Sequence, residues 1–143
     1  MPSLFAYGSL MYPEVAGIIL GRSVDSHHLV DAMVKNYRRI AIPGRPYPTG
    51  IAAPIHQIHG KLLLGLSKSD LKRLDAYEES FYIRKRVTVE IADGLRNAFL
   101  YVDSRNPLPF PIQEWDAEKF EREHLPAFVK SLGTRWKAED RLQ

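Results

Sequence analysis

Three features of the chain predict an α+β fold. An apolar, partly aromatic strand begins almost at the amino terminus, the middle of the chain carries strand-forming runs, and two amphipathic helical patterns lie within and after them. Early strands, one short helix inside them and a terminal helix argue for an α+β domain.

In chain order, Leu4, Phe5, Ala6 and Tyr7 read as a short buried strand, and Gly8 breaks it. Gly8 permits a backbone conformation closed to other residues and allows a ligand to approach the main chain. Pro13-Glu14 then suits a first helical turn, because proline lacks an amide hydrogen that would be unpaired there and glutamate complements the dipole. Val15, Ile18 and Ile19 supply the apolar face, and Gly21 stops the helix. At such a junction the amides of Gly8, Ser9 and Leu10 can meet a carboxylate or a developing oxyanion. A strand, a glycine turn and a helix also make an ordinary connection.

Val30 to Ile42 reads as a strand, Pro43 to Pro54 as a proline- and glycine-rich loop, and Leu62 to Leu66 as a continuous apolar strand. Ser67 followed by Asp70 forms a capping box with a shortened acid and starts a helix. At about 100° per residue, Leu71, Leu74 and Tyr77 share a face, and Glu78 falls angularly between the two leucines. Asp75 lies nearer the edge and Glu79 further around, so Glu78 is the acid singled out for desolvation. Burial raises a carboxyl pKa and suits it to shuttle protons near neutral pH. The spacing equally allows the helix to end before Glu78 with both glutamates in solvent. Phe81, Ile83, Val87 and Val89 then alternate with Tyr82, Arg84, Arg86 and Thr88, as in a half-buried strand, although Lys85 interrupts the apolar face. Asp93-Gly94 turns the chain towards Phe99 to Val102, Asn106 to Pro111 ends the sheet region, and Trp115 to Leu132 reads as an amphipathic helix interrupted or kinked at Pro126.

Several of these segments together resemble the gamma-glutamylcyclotransferase-like family. The resemblance is carried by Tyr7-Gly8-Ser9-Leu10, the glycine of Ile58-His59-Gly60-Lys61-Leu62, Leu74-Asp75-Ala76-Tyr77-Glu78, and Tyr82-Ile83-Arg84 with Val87 and Val89. Arg45-Pro46-Tyr47-Pro48 and Ala98 to Val102 fit the same pattern, so about the first hundred residues are covered. Glu79 stands where a glycine is common, and the stretch from Glu79 to Tyr82 is compact; both bear on substrate class. The resemblance implies a small mixed β-barrel or sheet with a few flanking helices. It also implies release of 5-oxoproline from a gamma-glutamyl amine or related amide by attack of the substrate's own α-amine. On that reading Glu78 is the general acid/base, and Tyr7, Gly8, Ser9, Leu10, Tyr82 and Arg84 contact the small-molecule gamma-glutamyl substrate. No cofactor or metal is implied. The leaving amine is open among an amino acid, a lysine side chain, a polyamine and an antibiotic amine, and the oligomeric state is unassigned. A binding or regulatory module on the same fold is the alternative in another functional class.

Composition narrows the classes further. With 143 residues, 45% hydrophobic and 26% charged, the chain is read as one domain, 1–143, around a single core. It has no cysteine, which excludes disulfides, thiolate metal sites and cysteine nucleophiles. The absence of a basic-then-apolar leader and of any apolar run near the roughly 20 residues that span a bilayer gives the expectation of a cytoplasmic protein without membrane insertion. A formal charge of +3, with Arg38-Arg39 and Arg84-Lys85-Arg86, invites a nucleic-acid reading. Acidic residues interrupt the basic ones, so these are read as solvated strand faces with no nucleic-acid partner; Arg84 is further read as a structural partner of a carboxylate such as Asp75. His56 and His59 are read as loop or strand histidines rather than metal ligands, and Ser9 lacks the glycine pattern of a nucleophile elbow.

Overall fold

The structure is a computed structural model that describes residues 2–141, with side chains through Trp136. Strands β1 (Leu4–Ala6), β2 (Leu29–Ala41), β3 (Pro48–Leu63), β4 (Tyr82–Ile91) and β5 (Gly94–Asp103) close into a barrel in the order β1-β3-β2-β4-β5. The helices are α1 (Pro13–Leu20), α2 (Lys68–Tyr77), α3 (Ala117–Lys119) and α4 (Leu125–Arg141), with a π-helical segment, Phe120–His124, between the last two. The fold is therefore the α+β class, with the small mixed barrel that the resemblance implied. One strand contact is parallel, Leu4 beside Phe99, and the long β2–β3 and β4–β5 ladders are antiparallel.

Both faces of β1 are buried, which is why its sequence is continuously apolar rather than alternating. Phe5 and Tyr7 point into the barrel with Val34, Ile58, Leu62, Val89, Leu100 and Val102. Leu4 and Ala6 face the other way, into a second cluster where Val15, Ile19, Leu71, Leu74 and Leu132 pack helices against the wall. The barrel and its helical cover thus share β1, and the chain leaving β1 emerges at their junction.

The local signals for helices operate as their chemistry dictates. Pro13 opens α1, and Gly21 closes it with φ 70°. At α2 the Ser67 side chain accepts from the Asp70 amide at 3.0 Å while the Asp70 carboxylate accepts from the Ser67 amide at 2.9 Å. Asp70 is further held by Arg22 at 2.6 Å, which ties α2 to the end of α1. The tight β4–β5 turn is Ala92-Asp93, one residue earlier than the Asp93-Gly94 read from sequence, because Gly94 already pairs with Ile91 in the ladder.

Three boundaries and one buried position differ further from the sequence reading. Pro43 to Pro54 is not one loop: β3 starts at Pro48, where a strand tolerates proline, and Pro54 sits in an irregularity where the four residues between Ala52 and Gln57 lie opposite Asn36 alone. The apolar run Leu62 to Leu66 leaves the ladder after Leu63, because Gly65 at φ 71° turns the chain towards the α2 cap. Ile83 is 44% exposed rather than buried. At that end of β4 the packed side chain is Tyr82 on the opposite face, against the helical cluster, while Val87 and Val89 enter the barrel. The terminal helix begins at Ala117, capped by Asp116, so Trp115 precedes it. Its irregularity is the π-helical segment just before Pro126, where the proline has no amide to complete the regular ladder.

Candidate active site

Where β1 runs out, Gly8 passes against the start of β3. A Cβ on Gly8 would lie 2.9 Å from Pro48 Cδ, so lack of space rather than a left-handed φ demands glycine here; its φ is −131°. Ser9–Met11 then form a 3-10 turn whose carbonyls are used early, Gly8 O accepting from Met11 N at 3.0 Å and Ser9 O from Tyr12 N at 3.3 Å. The amides opening such a turn have no partner within it. Tyr7, Gly8, Ser9 and Leu10 line one wall of a cavity of about 320 Å³.

The opposite wall is the end of α2. Glu78 keeps the last helical bond, its amide donating to Leu74 O at 3.0 Å, but its backbone turns extended, with ψ 148°. The two readings of this residue each hold in part. The helix ends before Glu78, yet the side chain is delivered into the cavity rather than to bulk solvent. Surrounding protein denies its carboxylate hydration, and the negative charges of Glu79 and Asp75 add to that penalty, so its pKa is pushed up to about 8. No side-chain hydrogen bond among the described residues offsets this.

Tyrosines close the space around the acid. Tyr7 donates to Tyr101 O at 2.6 Å, Tyr82 to Pro48 O at 2.6 Å, and Tyr77 shares a 2.6 Å hydrogen bond with Ser9. The Tyr101 hydroxyl donates to Asp75 at 2.6 Å. Burial raises the pKa of all four, so they stay neutral while Glu78 titrates. At the mouth, Glu79 accepts from Tyr47 at 2.5 Å and from Arg45 at 2.6 Å, and these bonds, Tyr47's first, hold its carboxyl below the ordinary range. Phe128 packs edge-on against Tyr47, and Arg135 completes the rim.

The structure brings together Tyr7, Gly8, Ser9, Leu10, Glu78 and Tyr82. It leaves Arg84 outside: its guanidinium pairs with Asp75 at 3.1 Å and lies over the Phe99 ring at 4.8 Å, the structural partnership weighed against a substrate role. The sequence reading did not single out Tyr101, Phe128 and Arg135, nor assign the Arg45–Tyr47–Glu79 group to the site. Tyr47 and Arg45 lie in a quoted motif, but Phe128 and Arg135 carry no local signal because α4 brings them there by packing. His56 and His59 are on β3, away from this cavity, and the Arg38-Arg39 pair splits: Arg38 bonds Glu114 at 2.9 Å, and Arg39 turns towards Tyr7 O at 3.1 Å.

Known proteins resemble this chain over most of its length. AIG2-like protein C of Arabidopsis thaliana is 34% identical over 128 residues, covering 88% of this chain and 73% of that protein. A solution structure from the same plant superposes with a TM-score of 0.72 at 29% identity, covering 97% of this chain and 84% of the other. A mouse AIG2-like protein has the same fold, with a TM-score of 0.62 at 19% identity over 83% of this chain and 90% of its own. A structure described as gamma-glutamyl cyclotransferase also shares the fold, with a TM-score of 0.59 at 15% identity over 92% and 85% of the two chains. The family model described as "Gamma-glutamyl cyclotransferase, AIG2-like" matches residues 4–117, from β1 through the start of the terminal helix, and the chain belongs to that family.

Proposed function

We propose that the protein is a cyclotransferase that releases 5-oxoproline from a gamma-glutamyl amine or related amide, with Glu78 as general acid and base. The observation that carries this reading is a carboxyl group with its pKa raised to about 8, lining the same open-mouthed cavity as the Tyr7–Leu10 turn.

The reaction needs no nucleophile from the protein. Ionised Glu78 accepts a proton from the substrate α-ammonium, and the freed amine attacks the γ-carbonyl carbon, forming a five-membered ring. The carbonyl oxygen becomes an oxyanion, for which the amides of the Tyr7–Leu10 turn are the available donors. As the oxyanion collapses, the bond from the former carbonyl carbon to the leaving nitrogen breaks. Glu78 returns its proton to that nitrogen, then takes the second proton from the ring nitrogen and passes it to the departing amine, leaving 5-oxoproline, an ammonium product and ionised Glu78. The cavity's contribution is to hold the substrate folded so that the ring closes.

The test is to incubate the protein and Glu78→Gln with gamma-glutamyl amino acids, glutathione and gamma-glutamyl amines, and to measure 5-oxoproline by mass spectrometry. Release by the wild type, reduced about 100-fold to 10,000-fold in the variant, is the expected result. Absence of release from every compound by folded wild-type protein would replace this reading with a binding module or an unrelated amide substrate.

A further inference from the structure

We infer that Arg39 is a positioning residue of this site, acting through the Tyr7–Gly8 peptide to strengthen and aim the Gly8 amide; the inference rests on the cyclotransferase reading. Arg39 sits on β2, near the end of the strand, and its guanidinium turns inward: Nη1 donates to Tyr7 O at 3.1 Å and to His59 O at 3.5 Å. The guanidinium carbon lies 5.0 Å from the Trp115 ring centroid. Trp115 is itself fixed, its Nε1 donating to Pro46 O at 2.8 Å, and the preceding residues pair with the β2 end through Ala41 N to Gln113 O at 2.8 Å. Arg39 is half-buried, and burial lowers its pKa from the usual value.

A desolvated guanidinium is unfavourable unless its donors are used, and no carboxylate among the described residues forms an ion pair with this one. Glu114, the nearest candidate, bonds Arg38 instead. What its Nη1 donates to is two peptide carbonyls, Tyr7 O the nearer, beside an aromatic face, with the Glu114 charge acting on it without a direct bond. In a trans peptide the C=O and the following N–H point in opposite directions, so a cation fixed on Tyr7 O polarises the amide that projects away from it. That amide belongs to Gly8, which lines the cavity. No acceptor among the described residues takes a hydrogen bond from it. Pro48 confines Gly8 from the other side, leaving little freedom for the peptide to rotate.

The experiment compares wild type with Arg39→Gln and Arg39→Lys, reading two quantities from the same preparations: the amide ¹⁵N and ¹H shifts of Gly8 in glycine-labelled protein, and kcat and KM for a gamma-glutamyl compound that the panel shows to be turned over. Thermal denaturation confirms that each variant is folded. Expected are an upfield Gly8 ¹⁵N shift and a roughly tenfold lower kcat with little change in KM in Arg39→Gln, weaker than removal of a whole oxyanion donor. Arg39→Lys should recover most of both. An unmoved Gly8 signal in Arg39→Gln overturns the assignment, and so does a moved signal with unchanged kcat. Inactivity of the wild type on the whole panel would sink the reaction instead, while the Gly8 shift, which needs no turnover, would still decide whether Arg39 polarises this peptide.

Discussion

Glu78 and Glu79 are adjacent in sequence and opposite in electrostatic fate. Glu79 keeps its charge because Tyr47 and Arg45 donate to it, whereas Glu78 has the cavity and two negative neighbours. The charge of Glu79 therefore acts on Glu78, and the proton acceptor is the ionised form. With a pKa of about 8, roughly one-tenth of Glu78 is ionised at pH 7. Below that pKa, kcat/KM for 5-oxoproline release should rise about tenfold per pH unit and level off above it, measured across pH 5.5 to roughly 9. Replacing Glu79 with Gln removes a like charge and releases Arg45, both of which favour ionised Glu78. The rising limb should then move to lower pH; a limb that stays in place or moves upward would contradict the tuning role. Glu78 was legible as the acid of interest from its spacing to Leu71 and Leu74, but its final orientation was not. The residue leaves the helix at an extended ψ, and that depends on where Tyr82 and β4 take the chain.

At the scale of elements, α2 is the lever that presents this acid, and its far end is fixed by the Ser67–Asp70 capping box and by Arg22. Loss of the cap in Ser67→Ala should lower stability by about 1 kcal/mol in denaturant titration. Catalytic loss should be small, since the Leu71 and Leu74 contacts still hold the helix. The β1–β3 pairing is less forgiving. A Cβ on Gly60 would fall 2.3 Å from Ala6 O, against backbone that cannot withdraw, so Gly60→Ala should destabilise by about 1–3 kcal/mol or more and disturb the adjoining Tyr7–Leu10 turn. Helix caps, a β4–β5 hairpin turn to within one residue and the alternation of Val87 and Val89 were readable because each depends on neighbours a few residues away. The start of β3 at Pro48 and the outward turn of Ile83 were not. Both are decided by which faces the barrel and the helices cover, a property of strand order.

The closed barrel supplies the rigid wall, and the helical layer supplies the acid and part of the rim. Arg135 and Phe128 enter from α4, far along the chain from every motif in the first hundred residues, which is why composition and periodicity did not reveal them. Holding Glu78 in this cavity also has a consequence for folding. Its proton is bound more tightly in the folded state than in the unfolded one, where the ordinary value near 4.5 applies. Folded protein therefore retains a proton that unfolded protein releases, and stability must fall as pH rises from about 4.5 to about 8. The difference amounts to at most roughly 5 kcal/mol, and Glu78→Gln should abolish it. Tm measured at pH 5 and pH 8.5 should thus diverge between wild type and Glu78→Gln, with the variant more stable at the higher pH. The most direct measurement is a carboxyl-resolved NMR titration of wild-type protein, with the Glu78 signal assigned by its absence from Glu78→Gln. A midpoint near 8 is the expected result, and a midpoint near 4.5 would contradict the proton-shuttle role.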